Sequence, residues 1–152
     1  MLDELAIPYR TVSHPAVFTV AESEQHIKDK RPIKNLLLQE KGDGRKILVI
    51  MDGKARLDLK HITQKLETRK LRFASLEVLM QTLGVTPGSV SAFSLMHEGA
   101  ADVEVVLDES LLAEKELGFH PNENTSTIFI PGDALVAIVT HTGHEPHILS
   151  LA

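Results

Sequence analysis

The chain has 152 residues, and its contents of 43% hydrophobic and 24% charged residues are ordinary for a globular protein. It contains no cysteine, which excludes a disulfide scaffold, a thiol nucleophile and a cysteine-ligated zinc site. The net charge of −5 argues against a protein that coats nucleic acid, but residues 1–72 hold 15 lysines and arginines against 10 acids, and residues 73–152 hold one lysine against 11 acids. This split indicates either a basic docking surface for a polyanion or an unevenly charged solvated surface.

The length is that of one domain, so we expect residues 1–152 to form a single domain. No apolar run approaches the roughly 20 residues that a membrane-spanning helix needs. The first residues carry acids and lack the basic region of a signal peptide. The sequence therefore predicts a cytoplasmic protein.

Alternating or apolar runs predict strands, and helical periodicity between capping residues and glycines predicts helices. The first half predicts, in order, a strand over Tyr9–Ser13, a helix over Val20–Ile27, strands over Ile33–Gln39 and Lys46–Met51, a helix over Asp58–Leu66 and a strand over Leu71–Ala74. The second half predicts a helix over Leu76–Leu83, a loop over Val85–Ser91, a strand over Val103–Leu107, a helix over Ser110–Leu117, a strand over Thr125–Ile130, a helix over Ala134–His141 and a strand over His147–Leu151. This mixture, without a strict βαβ rhythm, predicts an α+β fold with a mixed, largely antiparallel sheet and surrounding helices.

The common catalytic motifs are absent, which disfavours a P-loop ATPase, a Rossmann oxidoreductase, an α/β-hydrolase and an H-E-x-x-H metalloprotease. Three histidines, His141, His144 and His147, are spaced by three residues and would share one face of a helix. Gly143 and Pro146 interrupt any such helix, so we expect no metal site there.

Three places can carry chemistry. Lys34 starts an apolar strand and alternates with Leu36 and Leu38, which would partly desolvate its ammonium group, but the spacing alone favours a lysine that reaches back to water. His120 lies between a helix and a strand, where it is either a pocket residue or an exposed surface histidine. The loop Gly84–Ala92 is either a source of backbone N–H groups for a ligand or a plain connection.

These places occur in one order with further segments: Ile7–Tyr9, His14–Glu22, Ile33–Leu36, Leu57–Leu59, Leu71–Ser75, Leu83–Val90, Val105–Asp108, Phe119–Pro121 and Asn124–Thr125. In this combination the chain resembles the YbaK-like aminoacyl-tRNA deacylases, also called the prolyl-tRNA editing domain family. Within that family it looks most like the free-standing alanyl-tRNA(Pro) deacylases.

The resemblance implies hydrolysis of the ester of mischarged aminoacyl-tRNA, without a metal or cofactor, by one editing domain over residues 1–152. It implies a catalytic set of Lys34, His120 and the backbone of Gly88 and Ser89, and a substrate pocket formed by Phe18, Asn35, Ala92, Asn124 and Thr125. Ala92 stands where the family has proline at the end of its Gly-x-x-x-Pro loop. The implied partners are mischarged tRNA and a prolyl-tRNA synthetase.

For the tRNA we expect a phosphate-binding surface formed by Lys60, Lys65, Arg69 and Arg72. Helical spacing would put the last three on one side if the predicted helix extended that far. A footprint on Lys28, Lys30 and Arg31 is the alternative. Two other functions stay open: a non-catalytic tRNA-binding or oligonucleotide-binding module, and a regulatory domain that binds a free amino acid or a protein partner.

Overall fold

A computed structural model describes residues 10–13, 33–41, 44–86, 90–114, 117–119 and 126–150. The strands in these ranges are β1 (Arg10–Ser13), β2 (Ile33–Glu40), β3 (Lys46–Asp52), β4 (Leu71–Phe73), β5 (Glu104–Asp108), β6 (Leu117–Phe119), β7 (Ser126–Ile130) and β8 (Pro146–Leu149). The α-helices are α1 (Leu59–Leu66), α2 (Leu76–Leu83) and α3 (Ala134–His141), and three 3-10 helices cover Ala92–Met96, Glu98–Ala100 and Glu109–Ala113.

Two sheets organise the described residues. The larger has the strand order β4-β2-β3-β5-β8, in which β2 pairs antiparallel with β3 and β4, whereas β3 with β5 and β5 with β8 are parallel pairs. The smaller sheet has the order β1-β7-β6 and is antiparallel throughout. The predicted α+β fold with a mixed, largely antiparallel sheet is thus confirmed.

Side-chain alternation on the larger sheet separates two hydrophobic layers. Leu37 of β2 packs into one cluster with residues of α2, α3, the 3-10 helices and the smaller sheet. Leu38, the next residue, packs into the other cluster with Ile62 and Leu66 of α1. Because both faces are covered, the central strands are almost continuously apolar, as Ile47–Met51 shows.

Local signals place the helix ends. The Asp58 side chain accepts hydrogen bonds from the N–H groups of Lys60 and His61 and begins α1. Ser75 caps α2, which ends at Gly84 with a φ of 70°. The sequence predicts both helices to within one residue.

The predicted helix over Ser110–Leu117 is wrong. The structure has a 3-10 helix over Glu109–Ala113, followed by β6, in which Leu117 pairs with Ile130 and is buried in the core. Gly118 therefore lies within a strand and does not end a helix. The long-range pairing with β7 overrides the local helical pattern.

The predicted strands match β1 to β5, β7 and β8 to within two residues at each end, whereas β6 is not predicted as a strand. The predicted helix over Val20–Ile27 lies outside the described residues. Within the described ranges, no helix combines the length and apolar character needed to cross a membrane.

Candidate functional site

One edge of the larger sheet brings together the start of β2 and the ends of β3, β5 and β8. Ile33 pairs with Asp52 at this edge, and Asp108 pairs with Leu149. Since β3, β5 and β8 run parallel, their carboxyl ends meet there, which is where parallel strands commonly carry binding sites. Lys34, the second residue of β2, lies at this edge.

The Lys34 side chain is half-buried, and its ammonium group donates a 2.7 Å hydrogen bond to the carbonyl oxygen of Ala55. Ala55 belongs to the turn after β3 and packs, like Leu36, against the cluster on the α1 face of the sheet. The prediction that Lys34 shares a face with Leu36 and Leu38 is confirmed. Lys34 thus lies on the apolar face covered by α1, and its ammonium group reaches the turn that packs against that layer.

Asn35 lies on the opposite face, between Ile33 and Leu37, which pack into the other cluster. Its side-chain oxygen Oδ1 is buried, and no hydrogen-bond donor reaches it from the part of the chain that the structure describes. An unsatisfied buried oxygen costs about 1–3 kcal/mol, so this atom is suited to a donor brought by a ligand.

Ala92 is fully buried in the same cluster as Leu37. It is the first residue of the 3-10 helix Ala92–Met96, which a capping box begins: the Ser91 hydroxyl accepts from Phe93 N–H, and the Ser94 hydroxyl accepts from Ser91 N–H. The structure thus brings Asn35 and Ala92 to one side of the sheet and places Lys34 on the other. Of the other predicted site residues, six lie outside the described residues: Phe18, Gly88, Ser89, His120, Asn124 and Thr125.

The four described residues of the predicted tRNA surface, Lys60, Lys65, Arg69 and Arg72, are all exposed. They do not lie on one helix, because α1 ends at Leu66, Glu67 adopts a left-handed conformation with a φ of 54°, and β4 begins at Leu71. The helix therefore does not extend far enough to place Lys65, Arg69 and Arg72 on one helical side, and the condition of that prediction is not met. The alternative footprint, Lys28, Lys30 and Arg31, lies outside the described residues.

Arg69 is tied to the buried carboxylate of Glu40. Its backbone N–H donates to Glu40 Oε2 at 2.7 Å, and its guanidinium lies 3.4 Å from Oε1. The N–H bond from Arg69 is the main reason that the pKa of Glu40 is lower than usual, and burial of the carboxylate opposes this shift. Arg69 thus has a structural role that its position in a basic segment does not reveal.

A second ion pair joins Arg45, the residue before β3, to Glu104 of β5. The Arg45 guanidinium binds both carboxylate oxygens of Glu104, at 2.6 and 2.5 Å, and it donates to the carbonyl of Leu66 at the end of α1. The hydrogen bond to Glu104 raises the pKa of Arg45. This arrangement neutralises the carboxyl end of α1 and fixes that helix against the sheet.

The three C-terminal histidines separate as the intervening residues predict. Helix α3 ends at His141, and Gly143 has a φ of 88°. His144 is buried, with Nε2 2.6 Å from the Ala100 carbonyl oxygen and Nδ1 2.9 Å from the Thr142 hydroxyl, whereas His147 lies on β8. In the ranges described above, no three histidine or carboxylate side chains are grouped to hold a metal ion.

Asp108 has a structural role that the sequence does not predict. It is buried at the end of β5, where its carboxylate accepts from Asp52 N–H and from the N–H and hydroxyl of Ser110. It therefore ties β3 to β5 at the Lys34 edge. A carboxylate directly after a buried strand is the signal that could have identified it.

The family model and the most similar relatives point to the same protein family. Residues 14–138 match the family model of the aminoacyl-tRNA editing domain. The prolyl-tRNA editing protein ProX of Acetoanaerobium sticklandii is 34% identical over 145 residues, which cover 94% of this chain and 88% of ProX. The prolyl-tRNA synthetase associated domain-containing protein 1 of Bos taurus is 32% identical over 155 residues, covering 98% of this chain and 90% of that protein.

A solved structure, provisionally described as a trans-editing enzyme for prolyl-tRNA synthetase, superposes with a TM-score of 0.73. It is 23% identical in sequence, and the match covers 95% of this chain and 87% of that chain. At this identity the likeness supports the fold.

Proposed function

We propose that this chain, which belongs to the aminoacyl-tRNA editing domain family and is an aminoacyl-tRNA deacylase, acts in trans on mischarged tRNA and removes a small amino acid, with alanine on tRNA(Pro) as the first candidate. The observation that carries the proposal is the extent of the match: the family model spans residues 14–138, and ProX is matched over 88% of its own length. The proposed unit is one editing domain over residues 1–152, located in the cytoplasm.

The reaction is the hydrolysis of the ester between the amino acid and the terminal ribose. The oxygen of a water molecule bonds to the ester carbonyl carbon, the bond from that carbon to the ribose oxygen breaks, and the ribose oxygen takes a proton. The products are the free amino acid and a tRNA with an intact terminal hydroxyl. Because the ester is already activated, a positioned water and stabilisation of the oxyanion are sufficient.

Lys34 supplies the positive charge in this proposal. Its ammonium group lies at the rim of an apolar layer, at the edge where three parallel strands end, and it now binds one backbone carbonyl, that of Ala55. A substrate oxygen carrying negative charge is a better acceptor than that carbonyl. Backbone N–H groups of Gly88 and Ser89 are proposed to complete the oxyanion site, and His120 is proposed to line it.

Asn35 is proposed to hold the amino group of the substrate. Its buried Oδ1 is an acceptor without a donor among the described residues, and the ammonium group of an aminoacyl ester supplies donors. Ala92 lies in the same layer, and Phe18, Asn124 and Thr125 are proposed to close the pocket around a small side chain. For this scheme, substrate must bridge the two faces of β2 around its first residues.

The relatives' names support mischarged tRNA as the substrate and prolyl-tRNA synthetase as the associated enzyme. The test is a deacylation panel, in which tRNA(Pro) and tRNA(Ala) are charged with alanine, serine, cysteine or proline and incubated with catalytic amounts of the protein. We expect repeated turnover of a small noncognate amino acid on tRNA(Pro), retained in EDTA.

Two results would replace this proposal. Saturable tRNA binding that weakens with salt, without release of amino acid, would identify a binding module. Binding of a free amino acid without affinity for tRNA would identify a regulatory domain.

A further inference from the structure

Phe73 is a solvent-exposed aromatic residue at the end of β4, the edge strand of the larger sheet. It is 57% exposed, whereas Phe93 and Phe129 are buried. Two other large apolar side chains follow it on α2, Leu76 at 71% and Met80 at 50% exposure. More than half of the Phe73 surface is exposed, so the ring is available to a ligand.

The strand register places Phe73 on the face of the sheet that carries Lys34. Phe73 pairs with Leu38, which lies four residues along β2 from Lys34 on the same face. At about 3.3 Å per residue this separation is roughly 13 Å along the strand. β4 ends at Phe73, so within the described ranges no β4 residue pairs with β2 between Leu38 and Lys34.

Positive charge is concentrated on the segment beside this path. Residues 54–72 hold seven lysines and arginines against two acids. The two acids are Asp58, whose carboxylate caps α1, and Glu67, which is exposed, so the segment keeps a net positive charge. Lys60 and Lys65 are exposed on α1, the helix that packs on this face, and Lys70 is exposed just before β4. Arg72 pairs with Gln39 and lies on the opposite face. A polyanion is the partner that fits these charges.

We propose that an unpaired base of the tRNA 3′ end stacks on Phe73 while the neighbouring cations hold its phosphates and the ester reaches Lys34. This inference rests on the proposed function, because it places the aminoacyl end at Lys34. Aromatic stacking suits the single-stranded 3′ end, since every base presents a π-face and no sequence is read. The charge pattern favours RNA over a protein partner or a second copy of this chain.

The test uses the absence of tryptophan from the chain. Phe73→Trp introduces a single fluorescent reporter, which is titrated with an uncharged RNA hairpin that ends in a single-stranded 3′ CCA, and with the same hairpin made blunt. We expect saturable quenching by the CCA hairpin and at least tenfold weaker quenching by the blunt one. Leu76→Trp is the matched control, and its fluorescence should not respond.

Kinetics provide the second arm. Stacking on an aromatic residue contributes about 1–3 kcal/mol per base, so Phe73→Leu should raise KM for mischarged tRNA by roughly 5- to 150-fold with kcat retained. Phe73→Tyr should restore KM, and Leu76→Ser should leave it unchanged. Because the side chains at both positions are largely exposed, the Tm of every variant should equal that of the wild-type protein.

Equal quenching by both hairpins, no quenching, or an unchanged KM in Phe73→Leu would overturn the stacking role. Wild-type dimers that both Phe73→Leu and Leu76→Ser dissociate would instead assign the surface to a second copy. The titration uses uncharged RNA, so its result is independent of whether wild-type protein deacylates tRNA.

Discussion

Replacing Lys34 by methionine removes the ammonium group and keeps an unbranched apolar stem on the face that carries Leu36. Two effects follow, and they differ in size and in readout. A hydrogen bond from a charged group is worth about 1.5–3 kcal/mol, and the half-exposed position of Lys34 favours the lower value. Since 1 kcal/mol shifts Tm by about 2–4 °C in a domain of this size, losing the bond to Ala55 should lower Tm by about 3–6 °C.

The catalytic effect should be far larger. Loss of one group that stabilises an oxyanion costs about 2.7–4 kcal/mol, or roughly 10²- to 10³-fold in kcat. The assay is single-turnover deacylation of mischarged tRNA at 25 °C, with the folded fraction checked by circular dichroism. Lys54→Met, in the exposed turn near Lys34, is the matched control and should change neither Tm nor kcat. A folded Lys34→Met enzyme with wild-type kcat would show that Lys34 serves the Ala55 turn alone.

Three further predictions concern the buried residue Ala92, the Glu40 carboxylate and the exposed lysines of α1. Ala92 begins a 3-10 helix after an extended residue, a backbone that proline adopts, so Ala92→Pro should destabilise the protein by about 0.4–1 kcal/mol less than Ala92→Val. Valine adds as many carbons at the same buried site, so equal losses of stability in urea unfolding would contradict this prediction. The pKa of Glu40 is lowered on folding, so its stabilising contribution is present above the pKa of the unfolded state and disappears as pH falls through the pKa of the folded state. The difference in unfolding free energy between wild type and Glu40→Gln should therefore narrow below about pH 4.3, and a difference that does not change with pH would refute this prediction. The double variant Lys60→Glu with Lys65→Glu should raise KM for tRNA and flatten its salt dependence while kcat is retained, and an unchanged salt slope would move the phosphate contacts elsewhere.

The parts of the fold set by local signals could be predicted from the sequence. Ser75 and Gly84 give the limits of α2, and alternation along β2 gives the face on which Lys34 lies. These features depend on residues within one turn or one strand, where capping geometry and side-chain direction are decided by near neighbours.

Features that depend on distant partners could not be predicted. The helix expected over Ser110–Leu117 gives way to β6 because Leu117 pairs with Ile130 of β7. The bond from Arg69 to Glu40 joins residues 29 apart, so Arg69 is partly structural despite its basic neighbours. A capping box begins the 3-10 helix at Ala92, and packing against the core buries this residue. The glycine-rich sequence before Ala92 specifies neither feature.

Amino-acid release from tRNA(Pro) tests the central claim most directly. The measurement compares wild-type protein on Ala-tRNA(Pro) and Pro-tRNA(Pro) under identical conditions, with the substrate in at least tenfold excess. The account predicts many turnovers of alanine per protein molecule and little release of proline. Release that stops at one equivalent, or equal rates for the two esters, would contradict an editing hydrolase.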